Sequence, residues 1–266
     1  LSGFQDHDTR FVDYYAEESL SPRARERFTA TKELLLAARA AAALPVAALD
    51  VGDVGCNAGT QSIMWAREGH RVRGIDISTQ LVEIARQRAA DAQLPIDFEV
   101  ASATDLPWPD ASLDVCIAPE LLEHVADWQA VVNECTRVIR PGGVVYFSTT
   151  NVLCPKQEEF DLPFYSWYPG FLKRRYERLS VTTRPELVNH ARYPAVNWFT
   201  YYGLRAEMAR RGFVSMDRFD LFALKPERGV KRLMIQTLRA LPPLRWLAHV
   251  ATPYTVILSR RIASGS

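Results

Sequence analysis

The chain has 266 residues, of which 48% are hydrophobic and 24% charged, and its formal net charge is +1 at pH 7. That length suits one large domain, or one domain with an insertion, and the composition is that of an ordinary globular protein. The nearly balanced charge argues against a nucleic-acid partner. The four cysteines form no Cys-x-x-Cys pair, which argues against a zinc ribbon and favours a reducing compartment. Since no signal peptide and no apolar run of about 20 residues is present, the sequence predicts a cytoplasmic protein.

Residues 1–45 are predicted to form an N-terminal helical segment. Ser21-Pro22 is a typical helix start, because Ser caps the first turn and Pro fits the first helical position. Residues 24–43 are rich in Ala, Leu, Arg and Glu and contain no Gly, which favours one long helix that ends before Pro45.

Residues 46–266 are predicted to form the main domain, which begins with short apolar runs alternating with helical stretches. The predicted strands are 47–54, 71–77, 96–101, 113–118 and 144–149. The predicted helices are 60–68, 79–91 and 127–139, with a stop at Pro141-Gly142-Gly143. This alternation predicts an α/β fold with a doubly wound, mainly parallel sheet.

The alternation ends at Asn151. Residues 151–199 are rich in aromatic residues and proline without a clear period, and so long an excursion predicts an aromatic-rich cap that binds the acceptor. A small satellite core explains the same aromatic residues equally well. The basic residues of this region are expected either to bind a phosphate or carboxylate of the acceptor or to form a solvated face; they are Arg174, Arg175, Arg184, His190 and Arg192.

Regular structure is predicted again after residue 200. A helix at 201–211, a stop at Gly212 and strands at 213–219 and 254–259 complete a seven-stranded sheet. Between the last two strands, residues 221–253 form a second insertion, whose stretch 229–250 mixes apolar and basic residues and is broken by Pro242-Pro243. Such an amphipathic helix either makes peripheral contact with a membrane or packs on its own protein.

The most informative motif is Asp53-Val54-Gly55-Cys56-Asn57-Ala58-Gly59, where the first strand turns into the first helix of the sheet. Small residues there allow a ligand to approach the backbone closely. Asp76 ends the next strand, and a carboxylate at that position can accept both hydroxyls of a ribose. A nucleoside site is therefore predicted. Gly55 and Gly59 are separated by three residues, which does not match the G-x-G-x-x-G of nicotinamide-dependent oxidoreductases.

The motif resembles the D-x-G-x-G-x-G of class I S-adenosylmethionine-dependent methyltransferases, with Asn57 at the middle glycine position. Asn is among the residues that best tolerate a left-handed backbone. The resemblance extends from about residue 47 to 212, and the segments Glu120-Leu121-Leu122-Glu123-His124-Val125 and Arg140-Pro141-Gly142-Gly143 are similar to the type 11 and ubiquinone-pathway branch. It implies a Rossmann-like methyltransferase domain with S-adenosyl-L-methionine as cofactor.

The resemblance also implies roles for individual residues. Asp53 would neighbour the methionine amine, Asp76 would hold the ribose hydroxyls, and Ile77 would pack on the adenine. The remaining implied cofactor contacts are Gly55, Cys56, Asn57, Gly59, Ser102, Ala103, Pro119 and Glu120. Ser102 stands where the family often has Asp, so a charged contact to the adenine amine is not expected there.

The expected reaction is methyl transfer to a hydroxyl of a small or lipid-linked acceptor, with N- or C-methylation of a metabolite, a nicotinamide-dependent oxidoreductase and a non-catalytic cofactor-binding protein as alternatives. His124 is the candidate base, because imidazole titrates near neutral pH and the residue follows the fourth strand; the alternative role is a helix-turn residue that caps or packs. No metal site is expected, although Glu120, Glu123 and His124 are an alternative ligand set.

Overall fold

Helices and strands alternate through most of the chain, and the computed structural model describes residues 9–188, 195–225 and 228–262. The helices are α1 Thr9–Glu18, α2 Pro22–Ala41, α3 Thr60–Ala66, α4 Thr79–Asp91, α5 Trp128–Val138, α6 Gly170–Thr182, α7 Tyr201–Arg210, α8 Arg218–Phe222, α9 Gly229–Ala240 and α10 Pro242–Val250. The strands are β1 Asp50–Val54, β2 Arg71–Asp76, β3 Asp97–Val100, β4 Leu113–Pro119, β5 Ile139–Thr150, β6 Phe213–Asp217 and β7 Tyr254–Arg261.

The strands form one seven-stranded sheet in the order β3-β2-β1-β4-β5-β7-β6. β1 pairs in parallel with β2 and with β4, and β2 pairs in parallel with β3, whereas β6 and β7 are antiparallel. The predicted α/β, doubly wound and mainly parallel sheet is thus confirmed. The order reverses direction between β1 and β4, and ligands of such sheets bind at the carboxyl ends of the strands at this switch point.

By their contacts, the residues group into two compact units. Of the described residues, the first unit comprises 9–118 and 129–145, and the second comprises 119–128, 146–188, 195–225 and 228–262. The predicted boundary at residue 45 and the two insertions, 151–199 and 221–253, stay predictions. Among the described residues, no helix is both long and apolar enough to cross a membrane.

Most predicted elements are present with small shifts at their ends. The α2 helix begins as expected, because the Ser21 hydroxyl accepts a hydrogen bond from the Ala24 N–H at 3.1 Å. The structure departs from prediction at β5, which starts at Ile139 and contains the Pro141-Gly142-Gly143 segment that was expected to separate helix from strand. Gly142 has a φ of 80°, so the strand passes through a left-handed residue that favours glycine.

The region 151–199 contains one regular helix that the sequence did not reveal. On α6, Tyr176 and Leu179 pack against a core of Phe160, Tyr165 and Leu187. Phe171 and Val181 on the same helix are exposed. Because apolar side chains lie on both sides of α6, its hydrophobic period is obscured.

Candidate functional site

The turn between β1 and α3 is held in a left-handed conformation at three positions. Gly55, Asn57 and Gly59 have φ values of 76°, 49° and 76°. The N–H groups of Gly55 and Cys56 both donate to the Ile75 carbonyl at 2.8 Å, which fixes the turn beside the end of β2. Asn57 adopts the left-handed conformation although it is not glycine, and its side-chain amide donates to the Gly55 carbonyl at 3.1 Å.

Gly59 is required by space as well as by backbone conformation. A Cβ at this position would lie 2.8 Å from the Ala85 Cβ and 2.8 Å from the Phe98 Cζ. Any side chain would therefore push α3 away from α4 and β3 and would distort the turn.

The carboxylate of Asp76 meets this turn directly. Its Oδ2 accepts from the Asn57 N–H at 3.0 Å and its Oδ1 accepts from the Ser78 N–H at 2.9 Å. Burial raises the pKa of Asp76. The backbone hydrogen bonds from Ser78, Asn57 and Ile77 act in the opposite direction and limit this rise. These three donors leave part of the carboxylate's acceptor capacity for a ligand hydroxyl. Ile77, the next residue, is 57% exposed and offers an apolar surface beside this acceptor.

Asp53 lies at the end of β1 and is fully buried. The first turn of α3 holds both of its oxygens, since the Ser62 hydroxyl donates at 2.6 Å and the Gln61 amide at 3.2 Å. Burial raises the pKa of Asp53 to about 6, and the nearby charge of Asp76 adds to the shift, while the bonds from Ser62 and Gln61 oppose it. The partners are neutral, so the carboxylate is oriented without being paired to a cation by them.

The other predicted contacts in the first unit have simpler surroundings. Cys56 packs with Val82, Ala85 and Phe98, and burial raises the pKa of its thiol well above the usual value, so it behaves as a small hydrophobic residue. The Ser102 hydroxyl lies 2.7 Å from the Thr104 hydroxyl. Ala103, its neighbour, is half-buried, and the Ala101 N–H donates to the Asp76 carbonyl at 3.1 Å, which brings this segment to the end of β2.

Three of the predicted residues belong to the second unit. Pro119 is half-buried, while Glu120 is exposed and adopts a left-handed φ of 52° with its N–H bonded to the Ser148 carbonyl at 2.7 Å. His124 is half-buried, and its N–H donates to the Leu121 carbonyl at 3.1 Å.

Glu123 has a structural setting that the sequence did not reveal. Its side chain is fully buried, and its Oε2 accepts from the Thr149 hydroxyl at 2.7 Å. Its carbonyl accepts the N–H groups of Val196 and Asn197 at 2.8 and 3.2 Å. Burial raises the pKa of Glu123 well above the usual value, so the group is suited to the neutral form. Within the described parts of the chain, no three His, Cys, Asp or Glu side chains come together as a metal site.

The aromatic residues of the region 151–199 divide into two groups. Phe160 and Tyr165 stack at 4.0 Å inside a satellite core, with Trp198 at 5.6 Å from Tyr165. Phe164 and Trp167 form an exposed stack at 6.0 Å. A satellite core is therefore present, and the binding of an acceptor by this region stays a prediction.

The basic residues of the same region are also divided. Arg174 and Arg175 line a surface cavity of about 410 Å³ together with Phe171, Arg178 and Leu179. Arg184 forms an exposed ion pair with Glu186 at 3.1 Å. His190 and Arg192 lie outside the described residues.

Known proteins are similar to this chain in part of its sequence and in its fold. Residues 52–147 match the family profile of a methyltransferase domain. A ubiquinone biosynthesis O-methyltransferase from Xanthomonas oryzae pv. oryzae is 38% identical over 111 residues, which is 41% of this chain and 46% of that protein. The chain thus aligns with about half the length of this curated relative.

Two solved structures illustrate the likeness of fold. A putative sarcosine dimethylglycine methyltransferase from Galdieria sulphuraria superposes with a TM-score of 0.56 at 18% identity, covering 90% of this chain and 88% of that one. A geranyl diphosphate methyltransferase in complex with GPP and sinefungin gives a TM-score of 0.53 at 19% identity, covering 88% and 77%.

S-adenosylmethionine, the cofactor of this family, fits the groups at the turn. These are two carboxylates, an exposed apolar side chain and a glycine-rich backbone. The fold, the turn that joins Asn57 to Asp76 and the domain match at 52–147 agree with one another. Residues 52–147 are therefore a methyltransferase domain of the class I S-adenosylmethionine-dependent type.

Proposed function

We propose that the protein transfers a methyl group from S-adenosylmethionine to a hydroxyl of a small or lipid-linked acceptor. The observation that carries the proposal is the hydrogen bond from the Asn57 N–H to the Asp76 carboxylate, at 3.0 Å. It joins a left-handed turn to an acidic strand end, and these are the two parts that an adenosine site needs at the switch point of the sheet.

The residues of the first unit would hold the cofactor in parts. Asp76 accepts the ribose hydroxyls, Ile77 covers one face of the adenine, and Gly55 and Gly59 keep the turn free of side chains. The Asp53 carboxylate attracts the methionine ammonium, because Gln61 and Ser62 orient it without neutralising it. When bound, S-adenosylmethionine supplies an activated methyl group on a positively charged sulfur.

The protein's own task is then positioning and proton removal. Holding the acceptor oxygen close to the reacting carbon supplies roughly 7–11 kcal/mol of the barrier. His124 is proposed to take the hydroxyl proton, since histidine is the commonest general base in enzymes and this side chain is half-buried rather than fully enclosed. The His124→Ala variant should lose about a hundredfold or more in turnover, with unchanged affinity for S-adenosylhomocysteine. Full turnover in this variant would remove His124 from the mechanism.

Two relatives support a hydroxyl and a lipid-linked acceptor. The curated relative is named a ubiquinone biosynthesis O-methyltransferase, and one structural neighbour is a geranyl diphosphate methyltransferase. The arginine-lined cavity beside Phe171 offers cations next to an apolar side chain, which suits an acceptor that carries an anionic group. Because a lipid-linked acceptor is presented at a bilayer, the proposal includes peripheral membrane contact through residues 229–250.

The first test is calorimetric titration of the purified protein with S-adenosylhomocysteine and with NADH. Micromolar binding of the former and none of the latter supports the proposal, whereas the reverse indicates an oxidoreductase. The second test supplies methyl-labelled donor with hydroxylated lipids, quinol precursors, sugars and amines. Label on a hydroxyl supports the proposal, label only on nitrogen or carbon contradicts the acceptor atom, and no transfer to any acceptor from a cell extract contradicts catalysis.

A further inference from the structure

The hairpin formed by α9 and α10 turns its apolar side chains outward. On α9, Val230, Leu233 and Met234 are 83%, 65% and 54% exposed. With 3.6 residues per turn these positions share one face, together with Leu241 just beyond the helix. Ile235 lies on the opposite face and is buried, so the larger apolar face of α9 is the one that meets solvent.

The second helix follows the same rule. On α10 the exposed apolar side chains are Leu244, Trp246 and Leu247, while His249 is buried. Leu244 and Leu247 lie on the face opposite His249, whereas Trp246 lies at the side of the helix. Both helices therefore reverse the usual arrangement, in which the apolar side of an amphipathic helix packs on its own protein.

Side-chain contacts to Asp217, which is buried, and to Asp220 hold the hairpin in this orientation. The His249 Nε2 lies 2.9 Å from the Asp217 Oδ2, and the Arg245 Nε donates to the same oxygen at 2.7 Å. Arg245 also pairs with Asp220, which accepts from the Arg239 Nε at 2.9 Å. Asp217 is fully buried, so rolling the hairpin to bury its apolar face would strip a buried carboxylate of its cations.

A ring stack makes the same orientation more rigid. The His249 ring lies parallel to the Tyr201 ring, with centroids 5.2 Å apart and planes 8° apart. The Phe219 ring meets His249 edge-on at 5.1 Å. The outward apolar face is thus a built feature of the second unit, since its reverse side is fixed by ionic and aromatic contacts.

The charge of this segment indicates what the apolar face meets. Residues 228–250 contain no Asp or Glu, but they include five basic residues. Two of these, Arg239 and Arg245, are used in the ionic contacts described above, and three exposed ones lie at the start of α9: Arg228, Lys231 and Arg232. Lys231 borders the apolar face, whereas Arg232 lies on the opposite side of the helix. An exposed apolar face in a basic segment without acidic residues, with a Trp beside it, is typical of helices that lie in the interface of an anionic membrane.

We propose that the α9–α10 hairpin docks on an anionic phospholipid bilayer. Leu233, Met234 and Leu247 enter the boundary between head groups and acyl chains, while the basic residues at the start of α9 attract lipid phosphates. The ionic contacts of Asp217 and Asp220 keep the hairpin ready for docking before it meets lipid. This extends the membrane contact included in the proposed function, and it is testable without methyl transfer.

The experiment is flotation of the full chain with vesicles of phosphatidylcholine alone and of phosphatidylcholine mixed with phosphatidylglycerol. The wild-type chain should float with the mixed vesicles, and the double variant Leu233→Glu, Met234→Glu should lose about tenfold or more of its binding. Arg232→Glu should lower binding about fivefold and only on anionic vesicles. The matched control is Val214→Glu on β6, which is similarly exposed and should float like the wild type.

Further measurements distinguish a loss of membrane binding from unfolding and from self-association. Each variant must keep the wild-type affinity for S-adenosylhomocysteine and its thermal unfolding midpoint, so that lost binding is not lost structure. If the wild-type chain floats with neither vesicle, or if Val214→Glu loses as much binding as the double variant, the proposal is overturned. If sedimentation velocity instead shows a dimer that the double variant abolishes, and vesicles do not bind, the face is a contact between copies. Failure of methyl transfer with intact flotation would contradict only the proposed function.

Discussion

Asp53 in the first unit and Asp217 in the second are both fully buried carboxylates, yet their environments push their pKa values in opposite directions. Asp53 is held by neutral donors, the Gln61 amide and the Ser62 hydroxyl, and burial raises its pKa to about 6. Burial acts on Asp217 in the same direction, but the hydrogen bonds from His249 and Arg245 outweigh it and lower its pKa to about 2.

The difference separates a structural carboxylate from one suited to a ligand. Asp217 is already paired with the Arg245 guanidinium and bonded to His249, so its charge serves to hold the α9–α10 hairpin. The partners of Asp53 orient its carboxylate but carry no positive charge. A cationic ligand could therefore pair with this carboxylate. Substitutions at three carboxylates, Asp217, Asp76 and Asp53, test this comparison in decreasing order of expected effect.

Replacing Asp217 should have the largest effect, and it should act on stability. Asp217→Ala leaves Arg245 and His249 without their shared acceptor, and breaking a buried pair in this way costs about 3–5 kcal/mol of the free energy of unfolding. Urea unfolding measures this loss, with the exposed Asp161→Ala of the same unit as control. If Asp217→Ala and Asp161→Ala lose similar amounts of unfolding free energy, the contacts of Asp217 with Arg245 and His249 do not stabilise the fold.

The pH dependence of the wild-type protein gives a second measure of the same contact. The folded pKa of Asp217, about 2, lies below its ordinary value of 3.8. Its contribution is therefore fully present above about pH 4 and is lost as the pH falls towards 2, by about 2 kcal/mol in total. Asp217→Asn should flatten this part of the stability curve.

Replacing Asp76 should act on the cofactor more than on the fold. Asp76→Asn keeps the shape of the side chain but removes the charge, and its NH2 group cannot accept from one of the two N–H groups of Asn57 and Ser78. Hydrogen bonds to a charged group contribute about 1.5–3 kcal/mol each, so the affinity for S-adenosylhomocysteine should fall about 10- to 100-fold. Calorimetric titration measures the affinity, with the exposed Asp97→Asn on β3 as control. Equal affinity in both variants would place Asp76 outside the site.

The sequence predicted the first unit well because the contacts that define it are close in the chain. The turn 55–59 bonds to Ile75 and Asp76, only one strand–helix–strand unit away. The bounds of α4 are those predicted, since its Ser78 cap and its period are both local signals.

The second unit was harder to predict because its decisive contacts are remote in sequence. Glu123 matches a motif residue of the family, but its burial depends on Thr149, 26 residues later, and on Val196 and Asn197. The outward face of α9 has the same amphipathic pattern that an inward face would have, and contacts remote in sequence, such as the pairing of Arg239 with Asp220, decide between them. Periodicity gives the shape of such a helix, whereas partners in space give its orientation.

The subtlest effect concerns the proton on Asp53. Near pH 6 this carboxyl should be about half protonated in the free protein. A methionine ammonium beside it would lower its pKa, so binding of S-adenosylhomocysteine should release about half a proton at this pH and almost none at pH 8, where the group is already ionised. Titrations in buffers with different ionisation enthalpies measure that release.

Two controls test the assignment of the released proton to Asp53. Methylthioadenosine lacks the amino-acid part of the ligand, so its binding should release no proton. Asp53→Asn should abolish the release without weakening the hydrogen bonds between Asp76 and the ribose. If methylthioadenosine releases as many protons as S-adenosylhomocysteine, the ammonium does not face Asp53, and this carboxylate is a structural anchor of α3 after all.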